Sequence, residues 1–110
     1  MHNKVLARQH INRSNESLQS SLVHDEGWNQ ADVLSALDNA TRAVQEADAA
    51  NDLLLKAESL ALIGKIYFKF MTKTDKAEQY YKLFMADVSG LIGNNNSLAS
   101  EGWYTEAMEF

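Results

Sequence analysis

Three histidines, His2, His10 and His24, are the only imidazoles in this chain, and it has no cysteine. A helical metal site needs ligands three or four residues apart so that both reach one ion. None of the histidines has another histidine at that spacing, so the sequence predicts solvated imidazoles and no metal. The carboxylates Asp25, Glu26, Asp48 and Asp52 stand among capping and polar positions, not beside the apolar runs that would raise a carboxyl pKa for acid–base work. There is no Gly-rich phosphate loop, no Gly-x-Ser-x-Gly elbow and no Ser/His/Asp set placed by a motif. The expectation is a protein that is not an enzyme and carries no cofactor.

Lysine supplies the one cluster with a direction. The chain has a formal net charge of −5, which argues against a nucleic-acid partner because phosphates need a basic face. Between Asp25 and Asp52 acidic residues dominate, with Arg42 the one base. From Lys56 to Lys82 the balance reverses, with Lys56, Lys65, Lys69, Lys73, Lys76 and Lys82 against Glu58, Asp75 and Glu78. Lys65, Lys69, Lys73 and Lys76 follow one another at steps of four, four and three, placing a basic stripe along one helix face and its exit loop. The plain reading of such a stripe is a solvated face; the sharper one is a docking surface for acidic groups.

The elements that must carry these residues are helices. At 110 residues, with 45% apolar content and no proline, the chain has the size of one domain, and its apolar spacing follows the helical period. Five helices are predicted, over about 3–22, 29–49, 52–71, 75–89 and 97–108. The first has Ala7, Ile11, Leu18 and Leu22 on one stripe. The second begins at an Asn29 cap, with Asp32 three residues on, and carries Val33, Leu37, Ala40, Val44 and Ala47. Asn51 and Asp52 mark a break and restart. The third helix has a wider apolar face through Leu53, Ala57, Leu60, Ala61, Gly64, Tyr67, Phe68 and Met71, wide enough for two neighbours. Thr72, Lys73 and Thr74 read as a connection, with Asp75 as cap and Glu78 as its capping-box partner. The fourth helix carries Ala77, Tyr80, Tyr81, Phe84 and Val88, and Gly90 with the residues 93–96 supplies the stop. Ser97 caps a last helix bearing Leu98, Trp103, Ala107 and Phe110. The aromatics Tyr67, Phe68, Phe70, Tyr80, Tyr81 and Phe84 are expected to form a hairpin core.

A repeat of 41 residues relates Ala36, Ala40 and Ala43 to Ala77, Tyr81 and Phe84. Ahead of the second set, on the preceding helix, stands Leu60-x-x-x-Gly64-x-x-Tyr67. This small-then-aromatic pattern followed by small, aromatic and bulky positions resembles the tetratricopeptide repeat, over roughly residues 36–88. The spacing is longer than the family's basic 34-residue unit, the proline that often closes a repeat is missing, and so is the tryptophan-leucine opening.

The resemblance implies an all-α fold of antiparallel helix hairpins in a right-handed superhelix of about two and a half repeats. A four- or five-helix bundle is the alternative. In the family, the first helix of each hairpin lines a concave groove, which here assigns Glu58, Ala61, Lys65, Phe68 and Lys69 to a peptide-binding surface. The function implied is a protein–protein adaptor or scaffold whose partner is another protein, through an acidic or amphipathic peptide segment. The alternative is a structural subunit that self-associates as a homo-oligomer, since repeat arrays usually need about three units to bury their faces. No apolar run approaches a membrane span or the core of a signal peptide, so no membrane partner and a cytoplasmic location are expected. The Asn-x-Ser/Thr triplets at Asn12, Asn15, Asn39 and Asn95 are read as products of an Asn/Ser-rich composition.

Overall fold

Asn51 and Asp52 turn the chain in two residues. Asn51 adopts φ 55°, a left-handed conformation that asparagine tolerates better than most side chains. Its N–H donates to the Asp48 carbonyl, and the next N–H, of Asp52, donates to Ala47, both at 3.0 Å. Together these bonds close a helix in a Schellman motif. Asp52 also opens the next helix, since its side chain accepts from the Leu55 N–H at 3.0 Å. A helix end and a helix start thus share one residue, and the predicted break stands where the sequence placed it.

The computed structural model describes residues 2–22 and 30–91, together with Gly102 and Ala107. Its elements are α1 (His2–Leu22), α2 (Gln30–Ala49), α3 (Leu53–Lys65) and α4 (Thr74–Leu91), with a single π turn over Ile66–Phe70 continuing α3. The fold is all-α, and no strand occurs among the described residues. The predicted Asn29 cap, the Leu22 side chain, the 93–96 loop and the helix from Ser97, with Leu98, Trp103 and Phe110, lie outside them.

Side-chain pairings fix the directions of the helices. From α1 to α2, His10 meets Glu46 while Ser14 meets Ala36, so this hairpin is antiparallel. From α3 to α4, Gly64 meets Tyr81, and Lys56, nearer the start of α3, faces the field of Asp87, nearer the end of α4. That hairpin is antiparallel as well. Between the hairpins, Lys4 pairs with Asp52 and Arg8 with Glu58, which sets α1 and α3 side by side and parallel.

Two buried clusters share α3. One joins Ala7, Ile11 and Leu18 of α1 and Val33, Ala36, Ala40, Ala43 and Ala47 of α2 to Leu55, Leu62 and Ile63. The other joins Ala57, Leu60 and Ala61 to Ala77, Tyr81, Phe84 and Val88 of α4 and to Ala107. The wide apolar face of the third helix therefore does contact two neighbours. Within α2 the alanines lie deepest, and Leu37 and Val44 pack at the edge of the cluster, because small side chains let α1 approach closely. At that approach the fully buried Ser14 hydroxyl donates to the Ala36 carbonyl at 2.7 Å, which satisfies the one polar group the interface encloses there.

Three sequence expectations need correction near the second hairpin. The third helix does not run on as α-helix to residue 71: it widens into the π turn, where the Met71 N–H reaches the Ile66 carbonyl at 3.0 Å. Asp75 is not the cap of α4. The first intrahelical bond is accepted by the Lys73 carbonyl from Ala77, so Asp75 lies within the first turn and favours the helix start through the dipole instead. Nor does Gly90 stop the helix, which continues to Leu91; a glycine weakens a last turn without ending it.

Candidate functional site

Gly64 sets the spacing of the hairpin that carries the site. A Cβ added there would stand 2.9 Å from Tyr81 Cε2 and 3.0 Å from Cζ, so only glycine allows the buried Tyr81 ring to lie against α3. The equivalent positions of the repeat behave alike: Ala36, Ala40 and Ala43 in α2, and Ala77, Tyr81 and Phe84 in α4, are all buried. Beside Tyr81, the Tyr67 and Tyr80 rings stack at 5.6 Å.

With α1 and α3 parallel, a groove runs between them. It narrows to a cavity of about 50 Å³ walled by Glu58, Ala61 and Lys65 of α3, Ile11 and Asn15 of α1, and Ala107. Three of the five residues assigned to a peptide surface are thus gathered on one wall. Phe68 and Lys69 lie one turn on, in the π turn, exposed, with Phe68 retaining 42% of its surface. Phe68 therefore does not belong to the hairpin core, where the aromatic pattern also placed it; Tyr81 and Phe84 are buried, while Tyr67, Phe70 and Tyr80 pack at its margin.

The charges on the groove are not independent of one another. Arg8 donates to Glu58 through both terminal nitrogens, Nη1 to Oε2 at 2.8 Å and Nη2 to Oε1 at 2.9 Å. This bidentate pair spans the groove from α1 to α3 and engages the Glu58 carboxylate. The half-buried Lys65 also lines the groove, and Lys69 follows it one turn on.

The four-lysine stripe is not one face. Lys65 belongs to the α1–α3 groove, whereas Lys73 borders a separate, open depression of about 320 Å³ with Gln30, Val33, Leu34, Phe70 and Met71. Lys76 sits 5.7 Å above the Tyr67 ring, a cation–π contact. The cause is local geometry, because the π turn adds a residue and Thr72 then takes φ 53°, so the helical period is broken between Lys69 and Lys73.

Near the start of α3, Lys56 bridges to Asp48 at 3.0 Å. That hydrogen bond is the main reason its pKa is raised, burial opposing it and the Asp87 and Asp48 charges adding to it. Asp87 is pushed up chiefly by burial, with Lys56 pulling it down and Asp48 pushing it up. Its Oδ2 is sealed from solvent and accepts no hydrogen bond among the described residues.

Arg8, Ile11, Asn15, Tyr81 and Ala107 were not assigned to the site from sequence. The signal available for the first three was their spacing of three and four on one α1 face. Among the described residues no group of three His, Asp or Glu is arranged to hold a metal ion, and no helix is long and apolar enough to cross a membrane. Comparison with protein-family models, with curated proteins and with solved structures finds no match.

Proposed function

We propose that this chain is a protein-interaction module of tetratricopeptide-like hairpins, an adaptor or scaffold that takes an acidic or amphipathic peptide in the α1–α3 groove. The observation that carries the reading is the shared wall of Glu58, Ala61 and Lys65, extended by exposed Phe68 and Lys69. The groove has an apolar floor at the buried Ala61 and Ile11. Lys65 and Lys69 supply positive potential within a chain of net charge −5, so the local field differs from the overall one. Phe68 supplies apolar area at the mouth, and the lysines steer carboxylates and set register.

The test is a double variant. Lys65→Glu with Lys69→Glu should weaken capture of acidic peptides and flatten its salt dependence while the helical signal of the folded chain persists. Affinity and salt slope equal to wild type would remove the groove reading.

A second reading, self-association, has its own observation. Leu83 keeps 53% of its surface exposed on α4, an apolar side chain that a second copy would cover. A concentration-dependent mass in light scattering that reverts to monomer in Leu83→Glu would favour it.

A further inference from the structure

Arg8 and Glu58 bar the groove at one level. Both terminal nitrogens of Arg8 donate to the two Glu58 oxygens, at 2.8 and 2.9 Å, across the gap between α1 and α3. At the start of both helices Lys4 reaches Asp52 at 3.7 Å, so the cations that α1 brings to this seam are answered by carboxylates of the α3 side. Beyond the bar, at the Ala61 cavity, the positive charge passes to α3 itself, with Lys65 and then Lys69. The two partners of the bar are unequally placed. The Glu58 side chain keeps 13% of its surface exposed and Arg8 keeps 48%, so the carboxylate is set in the wall and the long guanidinium arm is the part free to swing.

We infer that Glu58 is a built-in competitor of the acidic ligand: it holds Arg8 until a ligand carboxylate takes its place, which makes Arg8 a ligand-binding residue gated by its own groove wall. The inference rests on the groove reading above and names the residues that make it selective. A guanidinium fork grips a carboxylate in the same two-bonded geometry whether the carboxylate comes from its own chain or from a peptide. At Arg8 itself the exchange is therefore near balance. It leaves the Glu58 carboxylate in a covered position without Arg8, which carries a cost. Exchange proceeds only for ligands whose other contacts, to Lys65, Lys69 and Phe68, offset that cost. A neutral peptide does not displace Glu58 and meets the bar closed, so the groove selects by an opposing contact as well as by attractive ones. With Arg8 held by Glu58 in about nine molecules in ten, the apparent affinity for an acidic ligand is lowered about tenfold.

Fluorescence anisotropy of a fluorescein-labelled amphipathic Glu/Leu peptide, with its Gln/Leu counterpart as control, reads this competition in the full chain. Glu58→Gln should bind the Glu/Leu probe about tenfold more tightly than wild type and leave the Gln/Leu probe unchanged. Adding Arg8→Gln should return the affinity to wild type or below. Glu58→Asp keeps the net charge but draws the carboxylate back from Arg8 by one methylene, and it should give a gain of the same sign, which a general charge effect would not. If Glu58→Gln loses its helical signal, Glu58→Asp decides; if both lose it, the pair is a structural strap and the inference falls.

Binding of the Glu/Leu probe that is equal to or weaker than wild type in both Glu58 variants would overturn the inference. So would a gain that survives the loss of Arg8, or one shared equally by the Gln/Leu probe. The groove reading still stands in those cases wherever Lys65→Glu with Lys69→Glu weakens binding by the otherwise wild-type chain. An Arg8-dependent gain with no response to the two lysines does the reverse: the competitor at Arg8 stands, and the continuation of the site along Lys65 and Lys69 falls. A Glu/Leu probe that binds none of these chains removes both.

Discussion

Thr72 has φ 53°, a region where a β-branched side chain meets its own backbone. The position is dictated from outside: the Lys73 N–H reaches back six residues to the Tyr67 carbonyl at 2.8 Å, and the chain must reverse into α4. Thr72→Gly should therefore raise the melting temperature by the equivalent of about 1 kcal/mol, the strain relieved exceeding the extra freedom of an unfolded glycine; a lower melting temperature would show the strain to be illusory. Asp87 is the other residue held against its preference. Its folded pKa is raised above the ordinary 3.8, so its ionised form carries a cost in the fold that the unfolded chain does not bear. That cost is present at neutral pH and is relieved as pH falls through the folded pKa towards 3.8. Asp87→Asn should melt higher than wild type at pH 7, with the advantage shrinking on acidification. An advantage that grew as pH fell would reverse the assignment.

Between elements, the governing contact is Gly64 against Tyr81. Alanine elsewhere in a helix improves on glycine by about 1 kcal/mol. Here its methyl would meet a ring carbon at 2.9 Å, and overpacking of a filled core costs about 1–3 kcal/mol. Gly64→Ala should thus destabilise the wild-type chain but stabilise a Tyr81→Leu background, a coupling that a four-protein cycle of denaturant melts reads directly. Additivity would place the two residues out of contact. This approach was legible in the sequence because it depends on local chemistry: a small residue at the right step before an aromatic, just as Asn51 and Asp52 declare their corner. The π turn was not legible, since Ile66, Tyr67, Phe68, Lys69 and Phe70 keep an apolar pattern that ordinary helix explains equally well. Nor was the Arg8–Glu58 pair, whose partners are 50 residues apart and lie on parallel helices that only the tertiary fold brings together. For the same reason the lysine stripe was overread, since a period counted along the chain cannot register a turn that breaks it.

At the scale of the molecule, the hairpins are joined by α3 as a shared wall. Leu55, Leu62 and Ile63 belong to the α1–α2 cluster, while Ala57, Leu60 and Ala61 belong to the α4 cluster, so α3 has little surface of its own to give to water. Neither hairpin can release α3 without exposing the apolar face of the other, which makes opening of one hairpin the first step in opening both. The groove inherits this rigidity because both of its walls are anchored in the same cluster through Ile11 and Leu62. Ile63, 1% exposed, tests the argument. Ile63→Ala should cost about 2–5 kcal/mol as a buried large-to-small change. Although Ile63 faces the α1–α2 side, the loss should lower hydrogen-exchange protection equally in α2 and α4, because exchange from both proceeds through one cooperative opening. Protection that falls in α2 while α4 keeps its wild-type value would mean that the hairpins open separately, and that the groove between α1 and α3 is a hinge rather than a fixed channel.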